Sequence, residues 1–505
     1  MSATGARLDL LVVNPDTAVS IYQNLGSELS AIEPPVWAGL LATALERKGF
    51  SVKILDANAE RMGALASARA AQEMNPVLIA VPVYGHQPSA STQVMPGCVA
   101  FCRGLKNLNP EAKILMVGGH VSALPERTLE EEPVDFVCPG EGPACLEALI
   151  RVLKSGGSDF SRVPDLFYRE GTQIRKTAAA PLLQNLDREL PGIDWDLLPM
   201  RKYRAHNWHC FGGIERTPYA AIYTTLGCPY HCTFCCIQAP FKSGEAASGL
   251  KPGVASYRFW SPEFVVSQID QLVKNYGVKN IKFADEMFVL NKKHVGTICD
   301  LLIERDYGLN IWAYARVDTV DEKMLPKLKA AGFRWLAFGV EAAGEDVRED
   351  VDKNFSQSLI YDTLRKVREA GIFVISNYIF GLPEDDLASM QETLDMAIEL
   401  NTEFANFYCT MAYPGSPLYA KALQTGVTLP SSWDGYSQHS ETTLPLATRR
   451  LPASEILKFR DQAFIRYFDR PGFRSMLTAR FGTAALDELD LMLRARLQRK
   501  IVNRT

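Results

Sequence analysis

Short apolar runs alternate with segments of helical period along the first 155 residues of this 505-residue chain. The run LDLLVVNP at 8–15 is typical of a strand buried on both faces. Residues 33–50 predict the helix that follows, with prolines in the first turn and a glycine at the end. Further strands are predicted at 51–57, 77–84, 113–120 and 134–142, and further helices at 92–107 and 144–153. This alternation predicts an α/β domain with a doubly wound parallel sheet.

Polar and glycine residues follow the predicted strands at their carboxyl ends, where sheets of this kind bind ligands. The glycines would let the backbone approach a bulky ligand closely, whereas the absence of GxGxxG after the first strand disfavours a dinucleotide. His86 and His120 are as well explained as loop histidines without a ligand. The candidate ligand-binding positions are Asn14, Tyr84, Gly85, His86, Gly118, Gly119, His120, Gly140, Glu141 and Gly142.

A second alternation begins at residue 219. Its strands are predicted at 219–225, 280–288, 310–318, 335–343, 373–383 and 404–419, and its helices at 262–277, 291–308, 322–332, 357–370 and 387–400. Six βα units predict an open partial barrel, in which polar residues at the carboxyl ends of strands are catalytic candidates. Asp285, Glu286, Arg316 and Glu341 hold such positions, although any one of them could be a surface loop charge.

The remaining segments suggest a linker and a helical end. Residues 186–215 show no clear period and are interpreted as an interdomain linker. Residues 426–447 could close over the barrel mouth, and amphipathic helices are predicted at 453–468, capped by Ser454, and at 483–502. The basic end of the last helix fits a solvated helix terminus better than a membrane or nucleic-acid contact. We therefore expect domains at 1–185 (core 8–155) and 216–425, a linker at 186–215 and a helical region at 426–505.

Composition narrows the class of protein. The formal charge is −4, with 47% hydrophobic and 22% charged residues, which is ordinary for a globular protein and gives no sign of nucleic-acid binding. No apolar stretch approaches the ~20 residues of a membrane span, and the N-terminal residues show no signal-peptide pattern. Eleven cysteines without such a signal indicate a reducing, cytoplasmic location, where clustered thiols bind metal more often than they pair.

The sequence GCPYHCTFCC at 227–236 places four of these cysteines on one loop. Cys228, Cys232 and Cys235 are spaced so that three thiolates can hold an iron–sulfur cluster, and soft sulfur suits iron. A zinc site would need a second ligand pair downstream, and none is present. Unreactive thiols are the other alternative. Cys236 is a poor fourth ligand because adjacent side chains point in different directions, so one iron would stay open to a substrate or cofactor.

The pattern CxxxCxΦC, with Phe234 as the aromatic residue, resembles the signature of the radical S-adenosylmethionine (SAM) family. Residues 8–155, with VPVYGHQPSAST and VGGHVSALPERTLEEEPVDFVCPGEG, resemble the cobalamin-binding, flavodoxin-like domain that precedes many radical SAM barrels. The segments FADEMF, ARVD, FGVEAA, FGLPEDD and AYPGSPLY resemble later barrel strand ends of the same cobalamin-dependent enzymes, the class B radical SAM methyltransferases.

This resemblance assigns roles to the candidate residues. It implies a [4Fe–4S] cluster on Cys228, Cys232 and Cys235, with SAM chelating the fourth iron. The residues it implies for SAM are Phe234 near the adenine, Asp285 or Glu286 at the amino group, Arg316 and Glu341 at the carboxylate or ribose, and Gly381 near the adenine. Glu384 replaces the glycine of the usual GLPGE, so the turn there is expected to differ. Cobalamin is implied at the strand ends of the first domain. The DxHxxG motif of classical corrinoid proteins is absent, as is usual in this group, where cobalamin binds base-off and often without a protein ligand, and His86 could approach its lower face.

The resemblance also implies a reaction. We expect C-methylation of an unactivated carbon of a small metabolite or natural product, with one SAM as radical source and a second as methyl donor through methylcobalamin. An electron donor such as flavodoxin or ferredoxin is expected as a partner. The alternatives are ring rearrangement, cyclisation or oxidation without methyl transfer, and a corrinoid carrier with an inactive barrel. A methylthiotransferase would need three more cluster cysteines in the first domain, which Cys98, Cys102, Cys138 and Cys145 do not provide.

Overall fold

The computed structural model describes residues 7–26, 29–85, 87, 91–251 and 256–502. His86 lies outside the described residues, so its predicted approach to cobalamin stays a prediction.

A seven-stranded sheet with the order β2-β1-β3-β4-β5-β6-β7 forms the centre of the first domain. The first five strands are parallel and apolar on both faces, as the continuous apolar runs predict. They are β1 Leu10–Asn14, β2 Val52–Asp56, β3 Leu78–Pro82, β4 Ile114–Val117 and β5 Phe136–Cys138. An antiparallel hairpin that the sequence analysis missed, β6 Phe167–Glu170 and β7 Gln173–Lys176, extends the sheet beyond β5.

Helices cover both faces of this sheet, which closes two apolar cores. The helix α2 packs on one face and α3 and α4 on the other. The helices of this domain are α1 Ala18–Tyr22, α2 Val36–Glu46, α3 Ala64–Met74, α4 Ser91–Leu108, α5 Gly119–Ala123, α6 Pro125–Glu131 and α7 Pro143–Lys154.

A six-stranded parallel sheet with the order β15-β14-β13-β12-β11-β8 forms the second domain. Its strands are β8 Tyr219–Ile222, β11 Asn280–Phe283, β12 Asn310–Ala315, β13 Phe333–Glu341, β14 Phe373–Phe380 and β15 Phe404–Cys409. The short antiparallel pair β9 Thr225–Leu226 and β10 Arg258–Phe259 frames the cysteine loop. The six predicted βα units are present, and their strands follow one another across the sheet as in an open barrel.

The five helices predicted for the second domain are all present, whereas three short helices at 186–189, 242–247 and 345–349 were not predicted. Ser261 caps α10, and Gly277 ends it in the left-handed conformation, as the sequence signals require. The helices here are α8 Leu186–Glu189, α9 Lys242–Ala247, α10 Pro262–Tyr276, α11 Lys292–Arg305, α12 Leu325–Ala330, α13 Glu345–Glu349, α14 Gln357–Glu369 and α15 Leu387–Leu400.

The predicted linker is packed into the interior. Trp195, Tyr203 and Trp208 within 186–215 are buried in the core cluster that also contains Leu10 of the first sheet and Met492 near the C-terminus. The buried residues of this segment are aromatic side chains that do not recur with the period of a helix or a strand. The hydrophobic periodicity of the sequence therefore could not predict that the segment is buried. The domain boundaries given above stay predictions.

Four helices follow the barrel: α16 Pro417–Thr425, α17 Ala453–Phe468, α18 Pro471–Phe481 and α19 Ala484–Arg494. The range of α17 agrees with the prediction, but Pro452 and not Ser454 is its N-cap. The last helix ends at Arg494 rather than at 502, and Arg499 beyond it is buried rather than solvated. Within the described ranges, no helix is both long enough and apolar enough to cross a membrane.

Candidate active site

The two sheets meet at a cleft that both present with the carboxyl ends of their strands. Asn14 and Tyr84 line it from the first domain, and Tyr223 and Ala284 line it from the barrel. The Tyr84 ring stacks on Trp37, with ring centroids 4.4 Å apart. The carboxyl ends of the strands in both sheets therefore border the same cleft. In each sheet taken alone, this is the edge at which ligands are expected to bind.

Three polar contacts hold the domains together around the cleft. The side-chain amide of Gln87 donates to the Tyr314 hydroxyl of β12. Arg258 and Glu141 form a buried ion pair at 2.8 Å, and Lys282 and Glu33 form another at 2.9 Å.

The cysteine loop leaves the β9 strand at the barrel side of the cleft. Cys228 is buried, whereas Cys232 and Cys235 are half-buried. The loop is held by a hydrogen bond from Cys235 N–H to the Cys232 carbonyl at 3.0 Å and by the side chain of Gln238, which donates to the Cys228 carbonyl.

Among the described residues, no three His, Cys, Asp or Glu side chains converge on a single metal ion. A cubane takes one thiolate on each of three irons, so its ligands lie farther apart than those around one zinc. Cys236 is buried and lies against the turn at Gly415, where an added side chain would meet its Cβ at 3.6 Å. Three thiolates on one loop suit the three ligated irons of an open cubane, for which soft sulfur ligands are preferred.

Asp285 and Glu286 follow β11 but occupy different environments. Asp285 is fully buried and accepts hydrogen bonds from the backbone and hydroxyl groups of Thr224 and Thr225. It ties the end of β8 to the end of β11. Glu286 is half-buried, and burial together with the nearby Asp285 raises its pKa to about 7 despite the opposing effect of Lys282. Of the two carboxylates, Glu286 is the one available to an incoming cation.

Arg316 follows β12 and lies beside the cysteine loop. Its guanidinium stacks over the Tyr230 ring at 4.3 Å, pairs with Asp318 at 2.8 Å and lies 3.8 Å from the Cys232 sulfur. Its position is compatible with contact to a ligand carboxylate next to the cluster loop.

Glu341 ends β13 at a bulge and has a positive φ of 66°, which is rare for a residue other than glycine. One carboxylate oxygen accepts from Lys353 at 2.6 Å. The carboxylate lies over Gly339, where any added side chain would collide with it.

Phe234 packs with Ala342, Val347, Val351 and Leu382 at the ends of β13 and β14.

Gly381 has a positive φ of 78°, and a side chain there would strike Ile456. In the turn that lacks the usual second glycine, the Asp385 carboxylate accepts from the N–H groups of Gly381 and Leu382, each at 3.0 Å. That carboxylate fixes a backbone-lined surface beside Phe234, which suits a flat nucleobase.

The glycines of the first domain serve packing within the protein. A side chain at Gly118 would strike the Val83 carbonyl, one at Gly140 would strike Asp165, and one at Gly142 would strike Leu41. These three glycines are therefore needed for packing, and their contact with a ligand stays a prediction. Gly119 opens α5 and is buried.

The other cobalamin candidates divide into two groups. The Glu141 carboxylate forms an ion pair with Arg258 and accepts a hydrogen bond from the Leu183 N–H. His120 is buried against Trp433 and Thr92 and does not line the cleft. Asn14, Tyr84 and Gly85 do line it, and the Tyr84 hydroxyl is buried with no partner among the described residues. An apolar, aromatic wall with one orphaned hydroxyl fits a bulky cofactor with polar edges.

Sequence reasoning missed Lys353 and Gln87. Neither follows a barrel strand directly, so the strand-end rule gave no signal for them. The predicted lid at 426–447 is also placed differently, because Trp433 packs on His120 and Arg127 of the first domain. Gln438 in the same segment binds the backbone of Cys409 at the end of β15. The segment thus bridges the two domains.

Comparison with known proteins identifies the two halves. A model of the radical SAM superfamily matches residues 222–397, and a model of the B12-binding domain matches residues 24–150. The chain thus carries a B12-binding domain followed by a radical SAM domain, the combination that the sequence predicts. The predicted family, fold class and cofactor set, namely [4Fe–4S] cluster, SAM and cobalamin, are thereby confirmed.

Three relatives illustrate the range of this family. An uncharacterized methyltransferase of Pyrococcus horikoshii is 28% identical over 92% of this chain and 93% of its own length. The anaerobic magnesium-protoporphyrin IX monomethyl ester cyclase of Cereibacter sphaeroides is 26% identical over 79% of this chain, which spans 62% of the cyclase. The radical SAM methyltransferase TsrM of Kitasatospora setae, solved with cobalamin and a [4Fe–4S] cluster, has a TM-score of 0.64, is 19% identical and covers 83% of this chain and 75% of its own. The last of these likenesses shows the fold.

Proposed function

We propose that this protein is a C-methyltransferase that acts on an unactivated carbon of a small metabolite or natural product. The observation that carries the proposal is the single cleft that receives the carboxyl ends of both sheets. A substrate in this cleft would contact the barrel and the cobalamin-binding domain at once. The bound cofactors would supply a carbon-centred radical on one side and a methyl group on the other.

The chain's own residues would then hold and orient these groups. Cys228, Cys232 and Cys235 would bind the cluster, and Glu286 would hold the SAM amino group. Arg316 and Glu341 would hold the SAM carboxylate and ribose. Phe234 and the Gly381 backbone would form the adenine site.

On the opposite side, Asn14, Tyr84 and Gly85 would contact cobalamin. The stacked rings of Trp37 and Tyr84 would exclude water from the space between the cofactors. We further propose that an electron donor such as flavodoxin or ferredoxin reduces the cluster, and that the protein is located in the cytoplasm.

A cyclising or rearranging reaction without methyl transfer is the second candidate, and the likeness to the protoporphyrin ester cyclase favours it. A methylthiotransferase is disfavoured, because Cys98 and Cys102 lie in one core and Cys138 and Cys145 in the other, on opposite faces of the first sheet. These thiols are all buried, and in the part of the chain that the structure describes they form no second cluster site.

Methyl-labelled SAM distinguishes the candidates. The protein would be reconstituted anaerobically with iron, sulfide and hydroxocobalamin, reduced, and supplied with the labelled SAM. A methyltransferase should release both S-adenosylhomocysteine and 5′-deoxyadenosine and transfer label to the bound corrinoid. A cyclase should release 5′-deoxyadenosine alone, and a corrinoid carrier should release neither. Label that never leaves SAM would refute the methyltransferase proposal.

A further inference from the structure

The loop between β13 and α14, residues 342–355, is built around one buried arginine. Arg348 is fully buried and donates to the carbonyls of Ala342, Ala343 and Phe355 at 2.6, 2.7 and 2.8 Å. Three carbonyls on one guanidinium fix both ends of the loop, because each such hydrogen bond to a charged group is worth about 1.5–3 kcal/mol.

This loop reaches back to the cysteine loop and to the end of β13. The Val351 carbonyl accepts from the Thr233 N–H at 3.4 Å, between Cys232 and Phe234. Lys353 is 8% exposed. Its ammonium contacts the Glu341 carboxylate at 2.6 Å and the Gly339 carbonyl at 3.4 Å. The loop 342–355 therefore binds the cysteine loop and also places a buried cation next to Glu341.

The Lys353 cation acts on the Glu341 carboxylate. It engages only one oxygen of Glu341, and the second oxygen has no partner among the described residues. The positive φ of Glu341 costs of order 1–3 kcal/mol, so a partner that holds this carboxylate is needed to keep it in place.

We propose that Lys353 is a positioning residue for SAM binding, which holds the Glu341 carboxylate in the orientation that meets SAM. The inference rests on the SAM position of the proposed function but not on methyl transfer. Fixing Glu341 leaves one oxygen free to accept a hydrogen bond from a ribose hydroxyl.

The test compares Lys353→Met with Lys353→Arg and with Lys366→Met, which removes a surface cation paired with Asp362. In Lys353→Met the dissociation constant of SAM, measured by equilibrium dialysis with labelled SAM, should rise about tenfold, while the iron content of the reconstituted protein should stay that of the wild type. Lys353→Arg should restore SAM binding, and Lys366→Met should change neither quantity.

Lys353→Met leaves Glu341 buried without its partner, so the double variant Lys353→Met/Glu341→Gln is the companion if the single variant does not fold. It should also show weaker SAM binding. An unchanged dissociation constant, in whichever variant folds, would overturn the inference. If the wild type itself took up no four-iron cluster, the proposed function would fail, and the inference with it.

Discussion

Two adjacent carboxylates at the end of β11 show how differently neighbouring side chains are used. The sequence offered Asp285 or Glu286 for the SAM amino group. Four donor groups of Thr224 and Thr225 occupy Asp285, while Glu286 is only half-buried. Spacing alone could not decide between them, because hydrogen-bond partners from another strand make the difference.

Glu286→Gln should weaken SAM binding roughly ten- to hundredfold, since it removes a charge-assisted hydrogen bond worth about 1.5–3 kcal/mol. Burial raises the pKa of Glu286 to about 7. SAM affinity of the wild type should therefore fall as the pH is lowered through 7, where the carboxylate is protonated, and the variant should lose this dependence. Equilibrium dialysis at several pH values measures both effects.

Asp285→Asn is the matched control for this experiment. It should lower the melting temperature, because the amide loses the charge that strengthens these hydrogen bonds and puts an NH2 group where a second acceptor oxygen was, without the steep loss of SAM affinity. Equal SAM affinity in Glu286→Gln and the wild type at pH 8 would contradict the assignment.

At the scale of elements, the sequence indicated the helices and strands well where periodicity or continuous burial marks them. The helix at 453–468 and the strand runs of both sheets are examples. The end of the chain was harder to predict, because Arg499 acts through tertiary partners. It pairs with Asp461 at 2.9 Å and donates to the carbonyls of Gln438 and Ser440 at 3.0 Å. The basic residues at the end of the chain have no acidic residue near them in the sequence, yet one of them, Arg499, forms an ion pair with the distant Asp461.

Arg499→Met should release the segment 437–443, which bridges the end of β15 and the first domain. Removing one partner of a buried pair costs about 3–5 kcal/mol, and the low end is expected because Asp461 keeps Arg460 at 2.8 Å. Hydrogen exchange of backbone amides in 437–443 should accelerate. Arg496→Met, at an exposed position, should leave exchange unchanged. Unaltered protection in Arg499→Met would show that this side chain does not hold the segment.

At the scale of the whole molecule, the domains share one continuous apolar core. Residues 29–37 of the first domain bring Glu33 to Lys282 of the barrel, where the ammonium also lies 5.1 Å from the Trp312 ring. The sequence predicted two domains with a linker but not this union, because contacts between distant aperiodic segments leave no local pattern.

The Glu33–Lys282 pair should behave as a buried ion pair. Lys282→Met alone should destabilise the protein by about 3–5 kcal/mol, because Glu33 is left buried without the cation that pairs with it. The double variant Glu33→Gln/Lys282→Met should recover most of this loss. Urea unfolding followed by tryptophan fluorescence measures the difference. Losses that simply add in the double variant would contradict the coupling.

The central claim is that three cysteines hold a cluster whose open iron binds and cleaves SAM. Formation of 5′-deoxyadenosine by the anaerobically reconstituted protein, with iron counted in the same samples, tests it most directly. We predict about four irons per chain and SAM cleavage in the wild type and in Cys236→Ala, and loss of cleavage in Cys232→Ala. Wild-type cleavage by Cys232→Ala, or zinc in place of iron in the anaerobically purified protein, would contradict the account.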